Sequence, residues 1–570
     1  LIEGSTNDIY NPVQTILNNR GITDCDTYLN LTEKNLYSPY LLDNIEAAAD
    51  IFTSHIEKKN KIYIVVDSDT DGYTSAACVF NYIKDQYGTD YPVNALIHTA
   101  KQHGLSPDII VPEDCKLLII PDAGSNDAEQ CKDLSIKGID IIILDHHLSD
   151  VSNQYATIVN NQMCNYPNKN LSGVGIVYKF LQVVDEVAWG NGAEKLIDLV
   201  ALGNIADCMD MREYETKYLC MRGLSFVENS LLNAIIEKNG FYIEATPTIT
   251  DIQFSVVPLI NALIRMGSQK QKEMMFRAFT NSKEIFKYKK RGETEPIDET
   301  IAQRVAREAS NLKVKQNKEK EAALEKIYEY VKHFHLDENK IIFCNVTDYL
   351  NPALTGVTAM KVAEYYNRPC VLIRKVKDKD GVFGGSGRNV DNSFVPNFKE
   401  LLDSTEEFDF VQGHENAFGV EIQAENINKA IAACNAQLAK QKIEKLYLVD
   451  FDLDYQDVGV GAIKDLYSIH NIYGQCVKEP LLVVHKIRVS RDTAKVMGKM
   501  SNTWKYTDEE TGIEIIKMGC KSDDPILSWL NSWDDTENDK LIDVVCKVKM
   551  NQYKGVVTPQ ITVVDEEIVG

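Results

Sequence analysis

The chain has no Cys-x-x-Cys pair among its 13 cysteines, so neither a disulfide framework nor a structural zinc site is indicated, and a reducing cytoplasm is the expected setting. It also lacks any obvious apolar run near the ~18 residues of a membrane span, so no membrane is expected among its partners. The opening Leu1-Ile2-Glu3-Gly4 lacks the basic-then-apolar order of a secretory signal and has no initiator Met, so the true start is expected upstream. Positive charge is short too: 61 Lys plus Arg face 84 Asp plus Glu, a formal net charge of −23. Coating nucleic acid needs a positive excess, so the balance argues against that class but leaves room for a local basic track. What remains is an ordinary globular composition of 570 residues, 44% hydrophobic and 25% charged. At roughly 150 residues per domain, this length implies about three or four domains.

The first 60 residues are mixed and polar, and read as an N-terminal cap (1–60). From Lys61 short apolar runs end in acidic residues: Ile62 to Val66 into Asp67, Leu117 to Ile120 into Pro121-Asp122, and Ile139 to Leu144 into Asp145. Such β-branched runs, separated by helix-length stretches, predict a parallel sheet buried on both faces, hence an α/β domain. Its expected bounds are 61–275. A charged, helix-favouring connector (276–337), interrupted near Arg291 to Thr300, precedes a second α/β pattern (338–440), and spaced β-like segments over 441–570 suggest a small barrel.

The chemistry concentrates in Asp67-Ser68-Asp69-Thr70-Asp71-Gly72, three carboxylates at alternate positions directly after a strand. Unpaired they repel, and holding uncompensated charge in a partly desolvated site costs several kcal/mol, so solvent or a cation must offset them. Asp122 and the triplet Asp145-His146-His147 repeat the pattern after two further strands, and Asp207 follows the apolar helix Leu199 to Ala206. In an open parallel sheet the strand ends share one edge, so these segments are expected to converge in one crevice. Oxygen and imidazole donors without thiolate favour Mn²⁺ or Mg²⁺, and two such ions would serve in-line displacement at phosphorus. Taken alone, the acidic run would fit a solvated turn or a calcium loop; the four segments together favour metal-dependent phosphoester hydrolysis.

These residues resemble the DHH phosphoesterase superfamily, and within it the RecJ-like single-strand-specific 5′ to 3′ DNA exonucleases. Asp67 to Gly72 matches the first motif, Asp122-Ala123-Gly124 the second, Asp145-His146-His147 the third, and Gly203-Asn204-Ile205-Ala206-Asp207 the fourth. The resemblance implies Asp69, Asp71, Asp122, His146 and Asp207 as metal ligands, and Asp67 and Asp145 as supporting acidic groups. It implies His147 as a contact to the scissile phosphate or an aid to proton transfer. Asn261 and Arg265, in Pro258 to Met266, would serve DNA phosphates, although Ile264 stands where the family has glycine. Gly384-Gly385-Ser386-Gly387-Arg388-Asn389 and Gln412-Gly413-His414 look like elements of the DHH-associated domain, implying Ser386, Arg388, Asn389 and His414 as substrate contacts. The family's Glu-Gly-Tyr-Gly stretch is poorly kept around Lys101-Gln102-His103-Gly104-Leu105. The final segment is similar to the close of an OB fold, implying a C-terminal OB-like β-barrel.

Two tracts could hold DNA despite the acidic total. Residues 281–320 carry eleven Lys or Arg against seven Asp or Glu, and 481–506 carry Lys486, Arg488, Arg491, Lys495, Lys499 and Lys505 against Asp492 alone. Trp504 and Tyr506 beside the second tract suit base stacking. The expected protein is thus a monomeric exonuclease using two Mn²⁺ or Mg²⁺ ions on single-stranded DNA, with replication or repair proteins as further partners. Two rivals stay open: a phosphoesterase for short oligonucleotides or cyclic dinucleotides, and a non-catalytic DNA-binding scaffold.

Overall fold

A computed structural model describes residues 1–99, 101–240, 243, 246–377, 379–498, 500–521, 523–532, 537–553 and 555–569, with the side chain of Tyr553 excepted. Two compact units result: one combines Leu1–Ala309 with Val449–Gly570, and the other is Ser310–Leu448.

The first unit is built on five parallel strands, β1 (Ile62–Val66), β2 (Val93–Ile97), β3 (Leu117–Pro121), β4 (Asp140–Asp145) and β5 (Thr157–Asn160), ordered β2-β1-β3-β4-β5. Every residue of β1 and β3 is buried, which is why these strands read as unbroken apolar runs. One sheet face packs Tyr63, Val65, Leu118, Ile120, Ile141 and Ile143 with Cys131 of the helix Ala128–Ile136. Helices Thr70–Tyr87 and Gly173–Ala188 pack on β1, β3 and β4 and on one another. The strand order reverses between β1 and β3, so the loops leaving them diverge and open a crevice at their carboxyl ends.

The stretch Ile249–Met266 corrects one expectation, since by length and composition it is apolar enough to cross a membrane. Its apolar side chains have another destination: the helix Val257–Met266 packs against Thr70–Tyr87, with Leu263 and Ala262 fully buried.

The connector is less helical than expected. Its interruption is a β-hairpin, β6 (Ile285–Tyr288) with β7 (Ile297–Thr300), from which the helix Ile301–His333 departs. The Arg304 and Arg307 guanidiniums lie over the Phe286 and Tyr288 rings, 4.5 and 4.0 Å from their centroids, and fix the hairpin to the helix.

The second unit carries a mixed sheet of β8 (Ile342–Asn345), β9 (Cys370–Lys375), β10 (Val382–Arg388), β11 (Phe408–His414) and β12 (Ala417–Gln423), ordered β11-β12-β10-β9-β8. Gly384 to Arg388, likened above to an element of the DHH-associated domain, lies in the middle strand. Its register pairs Gly385 with Ile373 on one side and Val420 on the other, so its amides face ladder partners.

The C-terminal strands form no closed barrel among the described residues. β13 (Phe451–Asp454), β14 (Leu482–Ser490), β15 (Lys495–Met497), β16 (Thr503–Thr507), β17 (Glu514–Met518), β18 (Asp539–Tyr553) and β19 (Val556–Ile568) make an open sheet ordered β13-β14-β18-β19-β17-β16-β15. The chain's first residues are sewn to this sheet: Ile2 donates its N–H to Val449, and Arg20 forks onto Asp450 with Nη–Oδ distances of 2.6 and 3.0 Å. Asp450 is 1% exposed, so removing Arg20 leaves a buried carboxylate short of its counter-charge. Arg20→Ala is expected to lower unfolding free energy by about 3 kcal/mol, measured by urea unfolding; a change within error removes the fork from the anchors of the N-terminal segment.

Candidate active site

Each acidic segment reaches the crevice by a different local device. Asp67 follows β1 directly, and Asp69 caps the helix Thr70–Tyr87, accepting the Gly72 N–H at 2.9 Å. Asp71, in that helix's first turn, accepts the N–H groups of Gly173 and Val174 at 2.7 and 3.2 Å and the Ser172 hydroxyl at 3.1 Å. A second helix N-terminus thus meets this carboxylate and offsets part of its charge. Asp122 sits just past β3 at φ +65°, a left-handed conformation that costs an L residue roughly 1–2 kcal/mol.

Close packing completes the arrangement. A Cβ at Gly203 would meet the Asp71 Oδ1 at 2.2 Å, and one at Gly173 would meet the Asp122 Oδ1 at 2.4 Å. Asn204, from the fourth motif, fixes the turn between them by accepting the Ser172 N–H at 3.1 Å.

The segments do converge. His146 Nε2 lies 3.2 Å from Asp122 Oδ1 and 3.4 Å from Asp207 Oδ2. Asp71, His146 and Asp207 present ligand-type atoms within 4.8 Å of one another, as do Asp122, His146 and His147, and separately Asp67, Asp69 and His103. Asp122 Oδ1 and His146 Nε2 are buried and make no hydrogen bond among the described residues, despite their proximity. Buried polar atoms left without partners are costly, and a divalent cation between them satisfies both. The donor set of carboxylates and imidazole, with no thiolate, fits Mn²⁺ or Mg²⁺.

Electrostatics agree. Burial, with the charges of Asp71 and Asp69 added, pushes Asp207 up to about 8. Burial and Asp69 push Asp71 up to about 6, and burial with Asp71 holds Asp122 well above the carboxylate range. Without a cation the cluster therefore retains protons. Burial, followed by the neighbouring His147, pushes His146 down to about 4, which leaves its ring neutral and able to coordinate.

Asp145 serves differently. It accepts the N–H groups of Ser125, His146 and His147 and the His147 Nδ1 at 2.8 Å, so its oxygens are fully engaged. Burial alone would raise its pKa, but the His147 hydrogen bond and charge hold it well below the usual range. The same bond raises His147 to about 9, making a cationic ring whose side chain is 54% exposed.

The expected substrate contacts divide. Asn261 accepts the Thr70 hydroxyl at 3.0 Å, and Arg265, pushed down by burial, lies near enough to Asp69 to feel its charge. Ser386, Arg388, Asn389 and His414 belong to the second unit. There Arg388 and His414 both register with Ala417 from opposite sides, and Arg388 donates to the Gly387 and Phe418 carbonyls. Asn389 is buried, donating to Val395 O and Asn416 Oδ1, so its amide holds a loop together.

Trp504 is a correction: it is fully buried and offers no ring face to a base. Most of its neighbours in the tract have partners within the protein, while Lys495 is exposed and pairs with no carboxylate among the described residues. Lys505 pairs with Glu514, Arg488 with Asp539, and Lys486 with Asp454, while Arg491 donates to Trp529 O. Lys499 lies outside the described residues. On the β6–β7 hairpin, by contrast, Lys283, Lys289, Lys290 and Arg291 are exposed and pair with no carboxylate among the described residues.

Sequence reasoning passed over two histidines. His103 Nδ1 contacts Asp67 Oδ2 at 2.5 Å, and His98 Nε2 stands 3.9 Å from Asp67 Oδ1. Neither follows an apolar run into an acidic motif; the only signal was the chain's departure from the family pattern around residues 101–105.

Comparison with known proteins places this geometry. Residues 61–204 match the family model described as the DHH family, N-terminal domain. The chain is 37% identical over 566 residues to YorK of Bacillus subtilis (strain 168), provisionally named an SPbeta prophage-derived single-strand DNA-specific exonuclease, covering 98% of this chain and 96% of that one. It is 24% identical over 513 residues to the single-stranded-DNA-specific exonuclease RecJ of the same strain, covering 85% of this chain and 60% of RecJ. The fold is similar to that of RecJ from Thermus thermophilus in complex with Mn²⁺, with a TM-score of 0.71 and 18% identity over 98% of this chain and 77% of that one.

The raised carboxyls make a pH prediction. Asp71 and Asp207, at about 6 and about 8, keep protons in the folded metal-free chain that the unfolded chain has lost above pH ~4. Metal-free stability is therefore expected to fall from pH 5 to pH 8, and Mn²⁺ to restore it most at pH 8. Melting curves across that range with and without Mn²⁺ check this; stability rising with pH in the metal-free chain would contradict it.

Proposed function

Because the chain belongs to the RecJ-like branch of the DHH family, we propose that it is a metal-dependent exonuclease that removes nucleotides from the 5′ end of single-stranded DNA, in repair or recombination. The observation that carries this reading is the crevice at the β1–β3 reversal, where Asp122 Oδ1 and His146 Nε2 face one another buried and unbonded. Asp69, Asp71, Asp122, His146 and Asp207 would hold two cations. When bound, such ions lower the pKa of an attacking water and neutralise charge on the phosphoryl oxygens.

The protein's own groups do the rest. Asp145 fixes the His147 ring through Nδ1, so Nε2 points away with its proton and can pair with a phosphate oxygen or give that proton to the departing oxygen. Arg265 and Asn261, on the helix Val257–Met266, would position the neighbouring phosphate. The 5′ polarity rests on the resemblance to RecJ. Retention of all the expected ligand side chains disfavours the scaffold reading.

The exposed cations of the β6–β7 hairpin are the better-supported grip on the strand, since most of those of the C-terminal tract, Lys495 apart, are engaged within the protein. The hairpin joins the site through the helix Gln269–Phe279, which packs on Thr70–Tyr87.

Purified protein with Mn²⁺ is expected to release a 5′ label from single-stranded DNA before shortening the 3′ end, with Asp122→Asn reduced to the metal-free background. Intact DNA, or equal loss with Asp122→Asn, would overturn the assignment. A triple K289Q/K290Q/R291Q variant is expected to flatten the salt dependence of log Kd for long single strands by about 2, at roughly 0.7 per phosphate contact. Its turnover of dinucleotides should match the parent; an unchanged slope would remove the hairpin from the DNA path.

A further inference from the structure

The corner of the crevice formed by Asp67, Asp69 and His103 contains more nitrogen than the four acidic motifs account for. Asp67 is 1% exposed, and its Oδ2 is met by His103 Nδ1 at 2.5 Å and its Oδ1 by the Gly104 N–H at 3.0 Å. On its buried side stands His98, also 1% exposed. His98 Nδ1 lies 2.9 Å from Asp108 Oδ1, and Asp108 also accepts the Thr99 N–H at 2.7 Å and the Ser106 hydroxyl at 2.6 Å. A carboxylate only accepts, so Asp108 takes the Nδ1 edge of the ring and leaves the Nε2 edge open. That Nε2 is buried, has no hydrogen-bond partner among the described residues, and faces Asp67 Oδ1 at 3.9 Å. A cation in that gap would satisfy the imidazole nitrogen and the carboxylate together. A carboxylate behind the far nitrogen of a histidine is also the arrangement that orients metal-binding imidazoles.

We propose that Asp67, Asp69 and His103 hold one of the two cations, with His98 supplying a nitrogen from the buried side, and that these imidazoles make this position select Mn²⁺ over Mg²⁺. Asp69 is already among the ligands named above and Asp67 shares its motif, so what the inference adds is the two imidazoles, His98 and His103. It rests on the metal-dependent reading of the crevice and goes beyond it by naming which ligands discriminate between metals. The physical basis is donor type: Mg²⁺ keeps oxygen ligands and waters in a near-octahedral shell, whereas Mn²⁺ accepts imidazole readily.

The experiment uses the full chain without DNA. Mn²⁺ and Mg²⁺ are titrated into wild type, His103→Ala, His98→Gln and Asp207→Asn, with binding followed by calorimetry and bound Mn²⁺ counted by electron paramagnetic resonance. The expected result is two Mn²⁺ per wild-type chain. In His103→Ala one of them should weaken by about 10–100-fold while Mg²⁺ affinity changes several-fold less, and His98→Gln should shift the same ion in the same direction. Asp207→Asn should weaken the other ion. His103 also bonds the buried Asp67, so folding of each metal-free variant is checked by circular dichroism, and comparing Mn²⁺ with Mg²⁺ within one folded variant separates loss of a ligand from loss of fold. The proposal falls if His103→Ala binds both Mn²⁺ ions like wild type, or if it loses Mn²⁺ and Mg²⁺ equally, since His103 then serves only as a hydrogen-bond partner of Asp67. Wild type that binds no Mn²⁺ would overturn the metal-dependent reading as well, an outcome distinct from the other two.

Discussion

Like charge held out of water is the constraint from which this structure follows. Asp67, Asp122 and Asp145 are buried at the carboxyl ends of strands and Asp71 in the first turn of the helix that follows one, and carboxylates so confined stay folded only if each is compensated. Asp145 is compensated by protein alone, through three backbone N–H groups and the His147 ring. Asp71 is half compensated, by the N-terminus of the helix Gly173–Ala188. Asp122 has least, and it is there that unbonded atoms collect. The gradient from satisfied to unsatisfied carboxylate separates residues that orient a side chain from those that await a cation.

The scaffold answers the same constraint in its backbone. Asp122 is held in the left-handed region, and Gly173 and Gly203 bring main chain against carboxylate oxygens closer than any side chain would permit. These choices give up local stability, and the fully apolar interiors of β1 and β3 offset them.

Much of this is legible in the sequence, for identifiable reasons. β1, β3 and β4 are apolar because both faces are buried, so their ends can be read off and the convergence of Asp67, Asp122 and Asp145 follows from sheet topology. Legibility fails where the backbone pattern carries no period. β10 does not read as a strand because its glycines suppress the alternation that marks one, though its neighbours β9 and β12 pair along its length. Trp504 reads as surface because lysines flank it, yet alternation along β16 turns the lysine outward and the indole inward. His98 and His103 are invisible because they lie beyond β2, whose outer residues are only partly buried and announce no motif. The OB-like barrel is inferred from spaced β-like segments and from the likeness of the final segment to the close of an OB fold, neither of which determines whether a sheet closes.

The first unit is discontinuous in the chain: Ser310–Leu448 is inserted between its two parts. Arg20 therefore finds Asp450 only after some 430 intervening residues have been made. During synthesis the strand-end carboxylates assemble long before the C-terminal sheet exists, so a nascent chain passes through a stage in which the crevice is complete and its amino-terminal strap hangs loose. Loop-closure entropy grows only logarithmically with such a span, so the delay is kinetic more than thermodynamic. By the same connectivity, one backbone break on either side of the insert leaves it tethered by its other end. Shedding that unit takes two cuts.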